Sequence, residues 1–102
     1  MRVSFKLAVR PGFEEEYRRR HQAVYPDLLQ AFREVGVATY SIFMDGTTLF
    51  AYMEVDDFDG AMRTLDRHPA NIRWQAFMSD ILMADEHGRT MQVLPEVFHF
   101  QA

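Results

Sequence analysis

Hydrophobic positions between Phe13 and Val35 repeat at steps of three and four residues, which is the spacing of the buried face of an amphipathic helix. One member of this stripe, His21, is a titratable ring where a core side chain is expected. Pro26 lacks the N–H of a continuous helix, so we predict that the helix kinks or restarts there and ends near Gly36. The stripe consists of Phe13, Tyr17, His21, Val24, Leu28, Ala31, Phe32 and Val35.

Three segments have the composition or alternation of β-strands. Apolar residues alternate with other residues from position 3 to position 9, which predicts a first strand. Segments 37–44 and 49–55 are rich in β-branched and aromatic residues, and Asp45-Gly46 between them is a strong hairpin signal. We predict a last strand over residues 96–100, after a surface loop over residues 85–92.

A second helical region follows the hairpin. Asp56 and Asp57 are residues that cap a helix, and the helix is expected to stop at His68 because Pro69 follows it. A further helical piece comes next, with apolar residues at steps of three and four. The inner faces of the two pieces are predicted to be Phe58, Ala61, Met62 and Leu65, then Trp74, Phe77, Met78 and Ile81.

The predicted order of elements is therefore β-α-β-β-α-β, which is the split β-α-β arrangement of a ferredoxin-like α+β fold. We expect one domain over residues 1–102, with an antiparallel sheet covered by helices on one side. Neither face of the central hairpin is convincingly polar, so something is expected to cover both faces. A second copy of the chain packed sheet against sheet, a homodimer of the dimeric α/β-barrel type, satisfies this requirement.

Charge and composition narrow the classes of function. The formal net charge is −4, with 11 basic and 15 acidic residues, which argues against general binding to nucleic acid. The run Arg18 to Arg20 is interpreted as a solvated helix face paired with Glu14 to Glu16. No cysteine is present, so disulfides and thiolate chemistry are excluded. We see neither a signal peptide nor a membrane span in this sequence.

The chemistry that remains is centred on His21. The four histidines show no metal-site spacing, and the sequence has neither a glycine-rich phosphate loop nor a serine elbow motif. Tyr17 lies one turn before His21, Tyr40 is in the strand expected to pack near the helix, and Trp74 is the single tryptophan. Each has a plainer interpretation, a core ring or a histidine satisfied by a backbone carbonyl, which is favoured for each residue alone. Together they have the composition of a small-molecule pocket.

Several segments resemble the L-rhamnose mutarotases, a family of cytosolic bacterial enzymes acting at the anomeric carbon of a sugar. The resemblance runs along nearly the whole chain, and Tyr-x-x-x-His followed by Tyr-Pro is its most specific part. It implies a dimeric ferredoxin-like enzyme of the cytoplasm that needs no cofactor or metal and binds a monosaccharide. The matching segments are Glu16-Tyr17-Arg18-Arg19-Arg20-His21, Tyr25-Pro26, Thr39 to Asp45, Arg73-Trp74 and Glu96-Val97-Phe98.

The resemblance also implies the roles of particular residues. The position of His21 corresponds to the proton donor, and those of Tyr17, Tyr40 and Trp74 to residues that bind the sugar. A second tryptophan commonly follows the first in this family, whereas Gln75 stands here and offers a hydrogen-bonding amide to the substrate. The expected reaction interconverts the α and β anomers of L-rhamnose, or of a related sugar, by acid/base opening and closing of the ring.

Two questions stay open at the level of sequence. The base that complements His21 is not identified, and Glu54 and Asp27 are candidates by residue type alone. Two other functions fit the same fold, a cofactor-free or haem-dependent monooxygenase and a non-catalytic module that binds a small apolar ligand. The second alternative is based on the seven methionines and the aromatic-rich strands, since methionine-rich surfaces adapt to varied ligands.

Overall fold

Helices cover one face of a four-stranded antiparallel sheet in this computed structural model, which describes residues 1–102. The sheet order is β2-β3-β1-β4, and every pair of neighbouring strands is antiparallel. This is the ferredoxin-like α+β arrangement, so the predicted fold class is confirmed. The elements are β1 (Arg2–Ala8), α1 (Glu14–Arg20), α2 (Pro26–Glu34), β2 (Val37–Asp45), β3 (Thr48–Val55), α3 (Phe58–Arg67), α4 (Pro69–Met78) and β4 (Gln92–Leu94).

Prolines divide both helical regions, as predicted. After α1 the chain forms a short 3₁₀ turn, His21–Ala23, and α2 then begins at Pro26. A proline at the first helical position loses no hydrogen bond, because that N–H has no partner within a helix. Pro69 starts α4 in the same way, and the Ala70 N–H donates to the His68 side chain over 3.1 Å.

Two clusters of buried side chains join the sheet to the helices. One cluster brings Val9 and Leu49 of the sheet side against Leu28 and Trp74 of the helices. The other cluster packs strand residues such as Phe5 against Ala61 of α3 and its neighbour Phe58. The helix-facing residues of β3 are buried, namely Leu49, Ala51, Met53 and Val55, whereas Phe50 on the opposite face is 40% exposed.

The last strand comes earlier in the sequence than predicted. Gln92–Leu94 pairs with β1, and Pro95 follows it at once. Proline has no N–H for the ladder, so a strand readily ends there. The prediction of a strand over residues 96–100 is therefore wrong. That segment is exposed and forms no strand, and Val97 and Phe98 are 92% and 81% exposed.

The arginine run does not form one solvated face. Arg18 and Arg19 are exposed and pair with Glu15 and Glu16 one turn earlier on α1, as predicted. Arg20 differs, because its side chain is only 10% exposed and reaches away from α1. The prediction that all three arginines keep the outer face hydrated is thus wrong for Arg20.

None of the helices has the length and apolar composition needed to cross a membrane.

We expect Asp57→Ala to lower the free energy of unfolding by about 1 kcal/mol, the usual effect of losing a helix N-cap. The Asp57 carboxylate accepts a hydrogen bond from the Gly60 N–H over 3.2 Å at the start of α3. Asp57→Asn keeps an acceptor and should retain most of the stability, as should Asp59→Ala in the same turn. Urea denaturation monitored by circular dichroism measures all three, and equal losses in all of them would contradict the capping role.

Candidate active site

A cavity of about 770 Å³ lies between the sheet and the helices. Its volume is within the range of small-molecule sites, and most of its lining is apolar. β1 and β2 supply one wall through residues such as Phe5 and Tyr40. The helical wall carries Tyr17, His21, Trp74 and Gln75, so all five residues predicted for the site line the same cavity.

The imidazole of His21 is held between two aromatic rings. It stacks on Tyr17, with ring centroids 4.1 Å apart and an angle of 29° between the planes. It meets Trp74 edge to face, with centroids 5.3 Å apart and an angle of 87°. Tyr17 and His21 are four residues apart at the end of α1, whereas Trp74 is brought in by α4. The aromatic neighbours therefore set the plane of the imidazole as well as its position.

One nitrogen of His21 is satisfied by the backbone. Nδ1 lies 3.0 Å from the carbonyl oxygen of Tyr17. A carbonyl can only accept, so Nδ1 carries the proton in this bond, and the neutral ring then has its lone pair at Nε2. The plainer interpretation, a histidine satisfied by a backbone carbonyl, thus holds for Nδ1 but not for Nε2. Nε2 makes no hydrogen bond to another protein group and is free to exchange a proton.

Burial lowers the pKa of His21 below its usual value of 6.5, because a half-buried ring pays a desolvation penalty when it becomes charged. The hydrogen bond from Nδ1 to the Tyr17 carbonyl acts in the opposite direction but is the smaller effect. Near neutral pH the ring is therefore mostly uncharged. In this state Nε2 is a base, and it becomes an acid as soon as it has accepted a proton.

Two phenol groups face the cavity without partners in the protein. No protein group hydrogen-bonds to the hydroxyl of Tyr17 or of Tyr40, and both residues line the cavity. Burial raises the pKa of Tyr40 to about 12. The pKa of Tyr17 is raised further, mainly by burial and additionally by the neighbouring Tyr40. Both hydroxyls consequently remain protonated and can donate and accept hydrogen bonds.

Tyr40 and Trp74 also belong to the packing of the protein. The Tyr40 ring lies 6.0 Å from that of Phe5 and 5.5 Å from that of Phe32, measured between centroids. Trp74 is 7% exposed and meets Tyr25 edge to face at 5.1 Å. These rings are therefore core side chains, as the plainer interpretation expects, and they also form part of the cavity wall.

Gln75 lies at the rim of the cavity, one residue after Trp74. Its amide nitrogen donates to the Asn71 side-chain oxygen over 3.3 Å, and the Asn71 amide nitrogen donates to the Leu65 carbonyl over 3.0 Å. This chain of bonds leaves the Gln75 side-chain oxygen as an acceptor. Sequence reasoning missed Asn71, although its position one helical turn before Gln75 indicates a shared face.

Neither candidate base lies in the cavity. Glu54 is exposed on β3 between Met53 and Val55, which are both buried, so it belongs to the opposite face of the sheet. Asp27 forms an exposed ion pair with Arg73. Asp66, at the end of α3, is the carboxylate that does line the cavity, and it was not among the residues predicted for the site. No three acidic or histidine side chains are grouped in a way that suits a metal ion.

The fold and this cavity define a ferredoxin-like α+β protein with a small-molecule site built from one histidine and aromatic rings. A family model described as L-rhamnose mutarotase matches residues 2–100. The L-rhamnose mutarotase of Brucella anthropi is 37% identical over 101 residues, which is 96% of this chain and 94% of the relative. That of Bacteroides thetaiotaomicron is 35% identical over 101 residues and 96% of each chain. The chain belongs to the L-rhamnose mutarotase family.

One solved structure agrees with this assignment, and a second shares the fold alone. The crystal structure of an L-rhamnose mutarotase from Formosa agariphila matches with a TM-score of 0.85 and 31% identity, over 99% of each chain. A Nitrosomonas europaea protein described as an antibiotic biosynthesis monooxygenase matches with a TM-score of 0.64 and 14% identity, over 95% of this chain and 89% of that one. At this identity the second match shows a shared fold and nothing about activity.

Proposed function

We propose that the protein interconverts the α and β anomers of L-rhamnose, or of a closely related sugar, in the cavity beside His21. Membership of the L-rhamnose mutarotase family supports the reaction class. The observation that carries the proposal is the imidazole with a free Nε2, fixed between two aromatic rings at the wall of a cavity that has room for a monosaccharide. A cytoplasmic location, which the resemblance implies, is part of this proposal.

Anomer exchange requires the movement of one proton. In ring opening, the proton of the anomeric hydroxyl leaves, the bond between C1 and the ring oxygen breaks, and the ring oxygen gains a proton. The open aldehyde rotates about the bond between C1 and C2, and the reverse steps close the ring on the other face. No electrons and no chemical group are transferred to another molecule. Positioned acid/base groups in a closed site are sufficient chemistry for this reaction.

His21 can serve both ends of this proton transfer. Its neutral Nε2 accepts the proton of the anomeric hydroxyl, and the imidazolium formed in this way donates the proton to the ring oxygen. Both oxygens are attached to C1, so one nitrogen can reach each of them without a second base. This role agrees with the lowered pKa of His21, and neither Glu54 nor Asp27 lines the cavity.

The other predicted residues are suited to binding. The hydroxyls of Tyr17 and Tyr40 have no protein partners, and we propose that they hydrogen-bond to sugar hydroxyls. Trp74 supplies a flat apolar surface for the less polar face of the sugar. Gln75 offers an acceptor at the rim, where many relatives are expected to carry a second tryptophan, and this polar substitution is the reason for including related sugars in the proposal.

We also propose that the protein is a homodimer that buries the face of the sheet opposite the helices. Phe43 and Phe50 are cross-strand partners on this face and are 66% and 40% exposed. The tail after β4 adds Val97, Phe98 and Phe100, which are 92%, 81% and 75% exposed. Large apolar side chains exposed in this way are typical of an interface.

His21→Gln should reduce the catalysed anomer exchange of L-rhamnose by about 10² to 10⁴-fold, the usual contribution of a positioned acid/base group. Glutamine occupies a similar volume but does not exchange protons near neutral pH. Saturation-transfer NMR measures the exchange, because irradiation of one anomeric proton attenuates the other at the catalysed rate. The reaction has no net product, so the rate has to be measured at equilibrium.

His87→Gln is the matched control, since His87 is exposed in the loop before β4, and this variant should exchange at the wild-type rate. Trp74→Phe should mainly raise KM, because it reduces the apolar surface and leaves the imidazole in place. Wild-type exchange in His21→Gln would refute the assigned role. An inactive wild type that still binds ligand in the cavity would favour the non-catalytic module.

The catalytic efficiency, kcat/KM, should be constant at pH values well above the pKa of His21 and fall at lower pH, by about tenfold per pH unit once His21 is mostly protonated. The pKa of His21 is lowered, so the midpoint of this fall lies below 6.5, and the cause is loss of the neutral Nε2. The midpoint should match the His21 titration followed by NMR of ¹³C-labelled histidine. An efficiency that rises on acidification would contradict the neutral base.

Phe43→Ser combined with Phe50→Ser should convert the dimer to a monomer at micromolar concentration. The pair removes apolar area from the sheet face without entering the cavity. Ile72→Ser is the matched control, because Ile72 is 53% exposed on α4, away from this face. Sedimentation velocity distinguishes the two states. A monomeric wild type under these conditions would contradict the dimer.

A further inference from the structure

Arg20 joins the two helices whose side chains hold the imidazole. We infer that Arg20 is a positioning residue, which keeps His21 against Trp74 by clamping the end of α1 to the end of α4. Arg20 does not line the cavity and is not expected to touch the sugar. The inference depends on the role proposed above for His21, and it adds the element that holds His21 in place.

The guanidinium of Arg20 makes contacts with three groups at the end of α4. Nη1 donates to the Phe77 carbonyl over 2.7 Å and to Asp80 Oδ1 over 2.8 Å. Nη2 donates to Asp80 Oδ2 over 3.1 Å, so the carboxylate is bound by both arms of the fork. The guanidinium carbon also lies 4.3 Å from the centre of the Phe77 ring. A charged side chain that is only 10% exposed is thus held from several directions.

The same α1 turn provides an internal comparison. Arg18 and Arg19 pair with glutamates three residues earlier, within α1, and such exposed pairs contribute little to stability or geometry. Arg20 instead contacts Phe77 and Asp80, which are 57 and 60 residues away in the sequence. Its Nε is buried without a hydrogen-bond partner, and the nearest carboxylate oxygen, Glu16 Oε2, is 3.8 Å away. Leaving a donor unpaired is unfavourable, so the position of Arg20 depends on the contacts at the other end of the guanidinium.

The clamp acts on both sides of the imidazole. Arg20 is the residue directly before His21, and Phe77 follows Trp74 by three residues on α4. His21 itself lies in a 3₁₀ turn, and its imidazole is held by the Tyr17 carbonyl and the two ring contacts. Without the clamp, α1 and α4 can move apart at the point where His21 meets Trp74. A displacement of about 1 Å at a catalytic group can reduce a rate about 10²-fold.

Lysine cannot reproduce these contacts. Its ammonium group can approach Asp80, but it has no planar fork for a carboxylate and a carbonyl together, and it stacks less well on a phenyl ring. A methionine retains the length and apolar stem of the side chain without any charge. The two variants therefore separate the charge of Arg20 from its geometry.

Arg20→Met should lower kcat for anomer exchange at least about tenfold, with a smaller change in KM, because sugar contacts are retained while the imidazole is misplaced. Arg20→Lys should recover only part of the loss. Arg19→Met is the matched control on the same turn of α1 and should retain wild-type kcat. Circular dichroism at the assay temperature confirms that each variant is folded, and NOE contacts between His21 and Trp74 report the ring geometry.

Asp80→Asn distinguishes positioning from a simple charge effect. Loss of a negative charge would by itself lower the pKa of His21, whereas loosening of the clamp hydrates the ring and raises its pKa toward 6.5. We expect an upward shift, together with a lower kcat and weaker NOE contacts between His21 and Trp74. A downward or absent shift with wild-type kcat would overturn the positioning role.

The two proposals can fail separately. If the wild type exchanges anomers and His21→Gln does not, but Arg20→Met behaves like Arg19→Met, only the clamp is refuted. If the wild type shows no exchange, the proposed reaction is refuted, and the NOE contacts and the His21 titration still decide whether Arg20 positions the ring. Unchanged contacts in Arg20→Met would then refute the clamp as well.

Discussion

The hydrogen bond from His21 Nδ1 to the Tyr17 carbonyl is the contact on which the site depends. The same carbonyl also accepts a hydrogen bond from the backbone N–H of His21 at the end of α1, so the backbone and the side chain of one residue share it. The bond from Nδ1 selects the tautomer and therefore places the lone pair on Nε2.

The aromatic rings have a structural and a chemical role at once. Tyr17 and Trp74 are among the buried residues that join α1, α2 and α4 to the sheet. They also form the wall that desolvates His21 and lowers its pKa. Because the same packing stabilises the protein and sets the acidity of the ring, substitutions of these residues should alter stability and activity together. His21 and Arg20 are better positions for separating the two effects.

The fold and the site were predictable to different extents. The proline breaks, the hairpin and the order of elements followed from local rules, since turn residues and periodicity act over a few positions. The pairing of Tyr17 with His21 also followed from their spacing of four. The strand at Gln92–Leu94 was missed because its partner in β1 is almost 90 residues away. The inward turn of Arg20 was missed because three adjacent arginines beside glutamates have the same pattern as an exposed face.

The sequence by itself determined the ferredoxin-like arrangement, the amphipathic stripe that carries His21, and, through the resemblance, the family and the candidate site residues. Only the tertiary structure decided which nitrogen of His21 is free, that Glu54 and Asp27 lie outside the cavity, and that Arg20 bridges to Asp80. These facts depend on contacts between residues far apart in the chain. Hydrophobic periodicity specifies which face of an element is buried, but the angle and distance between packed elements are set by how their side chains fit together.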